Sequence, residues 1–447
     1  MKMNNRKGLI LVFTILFSAF TQAQDKKVWT LEECVNYALE NNISVQQGEN
    51  TLLINEQDVI ANKGGFLPSV SGGLGERLTI GSGFDPVSNR RVSNQTTNSF
   101  SYNFSVNQNV FNGFRTLNIY KQSLITLERN ELELKRIKDD ISLNVVNTYL
   151  NVLFNKENLE TAEAQVDFSQ KQLDQVRELV DAGVQPRANI YDVEATLSSD
   201  EQNLTIAENN YNLALLSLSQ LLQLPFDGFE VEIIEIDSPS AALMYNDISS
   251  ILDYAYSNRY EIKVAEKDIE NAILGREISK SGYYPSVGFS YGFGSVWSES
   301  KNDLRKDAFF KELDINKGHT LNLNVSIPIF SQYQNKTAVA QAQIREDNAK
   351  LNLEQAKLDL ESNIQRAFTD AQAALKAYEA AKKSREAQQL AFQNSQERYN
   401  LGSMNSFDLE QSRIQLINAQ SRLINAKYDF VFKTKVLDFY LGKPITQ

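Results

Sequence analysis

His319 is the sole histidine of the 447-residue chain and Cys34 its sole cysteine, so the side chains that most often do chemistry are nearly absent. General-base or metal chemistry built on His319 needs partner ligands, and the sequence offers none at metal-binding spacing. It stands beside an alternating run, where a surface histidine is expected. The glycines from Gly72 to Gly83 have the density of a phosphate loop, but no Gly-Lys-Ser/Thr follows them and strand-like runs surround them. Trp29, Trp297 and Cys34 read as packing or interface residues. No catalytic residue, cofactor site or metal site is expected. A net charge of −11 argues against nucleic acid as a partner.

The more informative patterns belong to whole elements. From Ser99 the chain runs Ser-Phe-Ser-Tyr-Asn-Phe-Ser-Val-Asn, which puts Phe100, Tyr102, Phe104 and Val106 on one face and Ser101, Asn103, Ser105 and Asn107 on the other. Leu321, Leu323, Val325 and Ile327 repeat the pattern against Asn322, Asn324 and Ser326. The partner runs, residues 70–80 and 287–297, set Val287, Phe289, Tyr291 and Phe293 against Gly288, Ser290, Gly292 and Gly294. Apolar and aromatic residues over a small, polar opposite face predict strands of an outer-membrane barrel, with lipid as one partner. The polar stretches joining each pair, residues 84–98 and 298–318, are expected as long extracellular loops.

These hairpins occur twice because the whole unit occurs twice. Phe-Leu-Pro-Ser at Phe66–Ser69 returns as Tyr-Tyr-Pro-Ser at Tyr283–Ser286, while Phe111 and Phe330, like Gly183 and Gly402, stand 219 residues apart. After each hairpin comes a helical run of nearly seventy residues, roughly 100 Å long at ~1.5 Å per residue. Leu117, Tyr120, Leu124, Leu127, Leu134, Ile137, Ile141 and Val145 carry a spacing of three and four, and Leu353, Leu360, Ile364, Ala367, Ala371, Ala374, Tyr378 and Ala381 carry it again. A shorter helix returns after each tip glycine, with Ile190, Leu197, Leu204 and Leu218 matched by Leu409, Leu416, Leu423 and Leu437.

The expected division is therefore a secretory leader at residues 1–23, a first repeat at 24–224, a connector at 225–246 and a second repeat at 247–447. Lys2, Arg6 and Lys7 before an apolar stretch, with Thr21-Gln22-Ala23 as the cleavage site, give the leader. Within the first repeat the hairpin covers residues 66–111, the long helix 115–181 and the tip 182–188. The second has them at 284–330, 332–401 and 402–406. Leading helices are expected at residues 31–62 and 248–281. The connector is acidic, with a short β-like run from Val231, and reads as a belt. No run is apolar and long enough for a membrane helix, so insertion must come from strands. Four strands are too few to close a barrel, since eight is the usual minimum. The chain must join other copies, and two, three or four all give an even count.

In this order and duplicated, these features resemble the TolC-like outer-membrane efflux proteins. Leu31-Glu32-Glu33 and Ala38-Leu39-Glu40-Asn41-Asn42 of the opening helix, Phe66-Leu67-Pro68-Ser69 before the first strand, both tips and Tyr440-Leu441-Gly442-Lys443-Pro444 carry the likeness. The resemblance implies a mainly α chain with a membrane β-barrel portion, assembled as a homotrimer whose twelve-stranded barrel continues into an α-helical periplasmic tunnel. It implies a passive exit duct in the outer membrane, working with a periplasmic adaptor and an inner-membrane transporter. It also implies a gate at the tips. Acidic rings are expected six and nine residues after the second tip glycine, where this chain has Asp408 and Gln411. The corresponding positions after Gly183 are Asn189 and Asp192. Tyr399 stands where a gate tyrosine is expected, while Met404 replaces an arginine partner. Gly183, Val184, Gly402 and Ser403 would form the tip and adaptor contact. The rival reading is a periplasmic coiled-coil scaffold or adaptor with a soluble β domain, whose strands would cover a protein core instead of meeting lipid.

Overall fold

The computed structural model describes residues 27–85, 90–233, 247–300 and 308–443. The expected leader and residues 234–246 of the connector lie outside these.

The first repeat runs β1 (Val28–Trp29), α1 (Leu31–Asn41), α2 (Ile43–Gly64), β2 (Ser69–Asp85), β3 (Arg90–Asn112), α3 (Arg115–Asp181) and α4 (Ala188–Leu222). The connector contributes β4 (Glu230–Val231), and the second repeat runs α5 (Ser249–Asn258), α6 (Tyr260–Lys280), β5 (Ser286–Ser300), α7 (Phe309–Ile315), β6 (Gly318–Ser326), α8 (Gln334–Asn400) and α9 (Ser406–Tyr440). The long helices α3 and α8 have 67 residues each, and the returning helices α4 and α9 have 35 each. Each long helix starts from a corner of two consecutive left-handed residues, Gly113–Phe114 in one repeat and Gln332–Tyr333 in the other. Only one of these four is glycine, so the second corner holds two side chains in a costly conformation.

The backbone separates into two compact units. One comprises residues 48–133 and 260–357 and contains a four-stranded antiparallel sheet of order β2-β3-β5-β6. Its register opposes Phe104 to Gly72 and Phe293, Phe293 to His319, and Tyr291 to Leu321. Phe100, Tyr102, Phe104 and Val106 therefore share a face with Val287, Phe289, Tyr291, Phe293, Leu321, Leu323 and Val325. Ser101, Asn103, Ser105 and Asn107 take the other, where the Ser71 and Ser105 hydroxyls lie 2.8 Å apart. His319 is exposed on the apolar face, with its Nδ1 2.9 Å from the Tyr291 hydroxyl.

Both stretches expected as loops contain more order than that. Most of residues 84–98 belongs to β2 and β3, which pair from Ser69↔Asn107 out to Asp85↔Arg90. The backbone ladder satisfies this polar, threonine-containing segment without the apolar alternation that identifies an ordinary half-buried strand. In the second stretch Phe309 and Leu313, one turn apart, form α7 against the sheet, and only residues 301–307 fall outside the described residues. The leading helices are also each interrupted. Asn42 and Arg259 adopt extended backbone, with the Asn42 Oδ1 accepting the Ser44 amide at 2.9 Å.

The other unit comprises the described parts of residues 1–47, 134–259 and 358–447. Thr30 and Glu33 cap α1 reciprocally, at 3.1 and 3.0 Å. Cys34 and Ala38 from α1 bury against Val145, Tyr149 and Val152 of α3 and Leu218 and Leu222 of α4. Burial pushes the Cys34 thiol up to about 12, which makes it a packing residue and a poor nucleophile. The described part of the connector contributes β4, which pairs in parallel with β1, and the Tyr149 hydroxyl donates to the Glu232 carbonyl at 2.6 Å. Arg259 is buried between Asp139, at 3.2 Å, and the Phe439 ring, 4.0 Å from its guanidinium carbon. Among the described residues no helix is long and apolar enough to cross a membrane, and no cluster of side chains suits a metal ion.

Candidate functional site

The two helix tips fold by the same local rule. Gly183 and Gly402 have φ of 74° and 71°, the left-handed conformation that ends a helix without a Cβ clash. The Val184 amide donates to Leu179 O at 2.8 Å and the Gly183 amide to Val180 O at 2.9 Å. Ser403 and Gly402 repeat this with Arg398 O and Tyr399 O, both at 2.9 Å. Val184, Gly183, Gly402 and Ser403 are all exposed. Asn405 then caps α9 through a 2.8 Å bond from the Asp408 amide to its side chain, whereas α4 begins after Arg187 with no side-chain cap.

The gate candidates divide into a connected group and an exposed group. Asn189 Nδ2 donates to Gln185 Oε1 at 3.2 Å, and Gln185 Nε2 donates to the Tyr399 hydroxyl at 3.4 Å. A neutral chain thus joins the first tip to the end of α8. Tyr399 and Met404 also pack with Phe168 on a small core of Phe392, Leu409 and Leu416. Asp408 and Gln411 stand exposed on the first turns of α9, as Asp192 does on α4. Asp408 lies at the positive end of its helix, where a carboxylate is favoured.

A charged cluster deeper in the same unit was not singled out from the sequence. Asp200 of α4 and Arg413 of α9 are 4 % and 6 % exposed. Arg413 Nη1 donates to Asp200 Oδ2 at 2.9 Å, while its Nε and Nη2 reach the two Glu410 oxygens at 2.9 Å. The Ser169 hydroxyl from α3 hydrogen-bonds Asp200 as well. Burial works to lower the Arg413 pKa, but the bonds to Glu410 and Asp200 outweigh it and raise the value. A signal existed: Arg413 is four residues after Leu409 and three before Leu416, and Asp200 has the same relation to Leu197 and Leu204 in mirror order. Charges on an apolar stripe should find each other.

Comparison with known proteins agrees with this architecture. The model of the family described as "Outer membrane efflux protein" matches residues 34–223 and 251–443. Outer membrane protein TolC of Escherichia coli (strain K12) is 21 % identical over 380 residues, covering 83 % of this chain and 74 % of that protein. Pyoverdine export outer membrane protein OpmQ of Pseudomonas putida is 22 % identical over 372 residues, 80 % of this chain and 74 % of its own. Among solved structures, CusC superposes with a TM-score of 0.77 at 17 % identity, covering 93 % of this chain and 92 % of that one. The outer membrane protein VceC from Vibrio cholerae gives 0.73 at 16 %, covering 93 % and 96 %. Two matched segments, one for each repeat, span most of the sequence, and the chain belongs to the outer membrane efflux protein family, whose place is the outer membrane.

Proposed function

We propose that copies of this chain, three in number, close a twelve-stranded barrel and form a passive exit duct fed by a periplasmic adaptor and an inner-membrane transporter. The observation that carries the proposal is the open sheet. Four strands end in two free edges, β2 and β6, and one face carries the apolar side chains, with Leu74, Phe104, Phe289, Leu321, Leu323 and Val325 among those exposed. Open edges and an apolar face are stable only when another chain pairs the first and lipid covers the second. Ile344 and Leu351 of α8, seven residues apart and both exposed, add a seam for another helix. Export of pyoverdine is in the name of one relative; drug efflux, metal efflux and protein secretion all fit a duct, because the transporter and adaptor carry much of that choice.

Replacing Phe104 or Val325 with Arg tests the lipid face. Each change should cost ~2–4 kcal/mol near the bilayer midplane and deplete heat-modifiable oligomers in outer-membrane fractions. Arg at Ser105 or Asn324 should be tolerated. Equal damage on both faces would instead favour a soluble sheet and the scaffold reading.

The tips serve in this reading as the gate, with the exposed Val184 and Ser403 available to the adaptor. Asp408 copies brought round a common axis would form an acidic ring, while Asn189, Gln185 and Tyr399 supply neutral hydrogen bonds. In planar bilayers, Asp408→Asn should lower cation preference and block by multivalent cations more than Asp192→Asn does. Unchanged selectivity and block in the Asp408 variant removes that residue from the gate.

A further inference from the structure

The two free edges of the sheet are unequal. β6 has nine residues and β2 has seventeen, so where β6 of one copy pairs β2 of the next, at least eight residues of β2 run on without a strand partner. On the other side of β6 the same shortfall exposes β5, whose pairing with β6 stops at Gly294↔Gly318 and leaves residues 295–300 beyond it. A barrel wall with a gap of that length would leave backbone groups unpaired and apolar side chains loose.

The short helix α7 stands in the gap. It ends two residues before β6 begins, so the chain itself puts it where β6 would continue. The helix and the residue that ends it satisfy part of the bare edge of β5: Asn316 Nδ2 donates to Val296 O at 2.8 Å, and the Ser298 amide donates to Glu312 Oε1 at 3.5 Å. The Ser295 hydroxyl, buried beneath it, donates to Leu313 O at 2.6 Å. The Phe309 ring lies 5.1 Å from Trp297 and 5.3 Å from Phe100. Beside it Phe310, whose ring stands edge-on to Phe309 at 5.1 Å, is 81 % exposed, and the surplus part of β2 offers Leu78 and Ile80, also exposed and on the same face of the sheet as Phe100 and Trp297.

We propose that α7 is a seam plug, which packs Phe310 against Leu78 and Ile80 of a second copy of this chain and fills the wall between copies beyond the end of β6. This rests on the duct reading above. It requires the partner to be another copy, because the missing neighbour of β6 is a strand edge and β2 is the other free edge of this sheet.

Cysteine cross-linking in outer-membrane vesicles tests it, with Cys34→Ala as background. Oxidised Phe310→Cys/Ile80→Cys or Phe310→Cys/Leu78→Cys chains should run as covalent multimers in denaturing gels, and the Phe310→Cys chain alone as a monomer, since a disulfide forms only across Cα distances below about 7 Å. As a second measurement, Phe310→Ser in the otherwise unaltered chain should lower the temperature at which the assembly dissociates in detergent. Assembled oligomers with neither inter-copy cross-link, or with an unchanged dissociation temperature, overturn the plug and leave the duct standing. A wild-type chain that forms no oligomer at all overturns the duct reading and the plug with it.

Discussion

At the first tip Glu194 pairs with Arg177 across the surface at 2.8 Å, both roughly half exposed, while at the second tip the residue 219 positions on, Arg413, is buried against Asp200 and Glu410. The two tips share the left-handed glycine, the two turn bonds that follow it and returning helices of equal length, so apart from the cap of α9 the difference lies in side-chain chemistry. A surface pair loses in side-chain entropy and screening most of what it gains. A buried pair is different: its value depends on both partners being present, because either one left alone is an uncompensated charge away from water. Duplication supplied two equivalent frames, and one of them carries the internal ionic contact between returning helices α4 and α9.

The largest effect should come from cutting that contact on one side. Asp200→Ala takes the buried carboxylate from the Arg413 guanidinium, leaving Glu410 as its remaining partner, and should lower stability by ~1.5–3 kcal/mol, read as a fall in the midpoint of heat unfolding by circular dichroism. The paired change Asp200→Leu with Arg413→Met should recover most of the loss. If the double variant is as unstable as the single one, burial of unpaired charge is not the reason for the effect. A smaller difference is expected from the caps. Asn405→Ala removes the side-chain acceptor of the Asp408 amide and should cost about 1 kcal/mol in the same measurement. Arg187→Ala removes no cap bond and should change little; equal losses would mean that Asn405 acts through something other than capping. The smallest effect belongs to the surface pair, where Glu194→Ala should cost under ~1 kcal/mol and less still at high salt. A loss there comparable to that of Asp200→Ala would erase the distinction between the tips.

Much of the fold was legible because it depends on short-range periodicity. Period two at residues 99–107 decides which side chains share a sheet face, and spacing by three and four over α3 and α8 decides which face of a helix packs. The +219 correspondence fixes the two tip glycines as equivalents, and their positive φ follows from what a residue after a helix must do. The breaks at Asn42 and Arg259 were not visible, since neither residue is a helix breaker by type; at Arg259 the surroundings matter, with Asp139 and Phe439 arriving from distant parts of the chain. Nor was α7, whose seven residues are too few to display a helical period amid neighbouring charge.

For the candidate site the division follows the same physics. The sequence by itself determined the tip turns and the neutral side chains at Asn189 and Met404, both of which are matters of residue type at a position. The tertiary structure alone decided that Gln185 links Asn189 to Tyr399, that Asp200 meets Arg413 213 residues away, and that Asn316 and Glu312 face the bare edge of β5. Those contacts join elements whose separation along the chain carries no period, and a hydrogen bond or ion pair is set by angstroms of approach that only the packed helices and paired strands define.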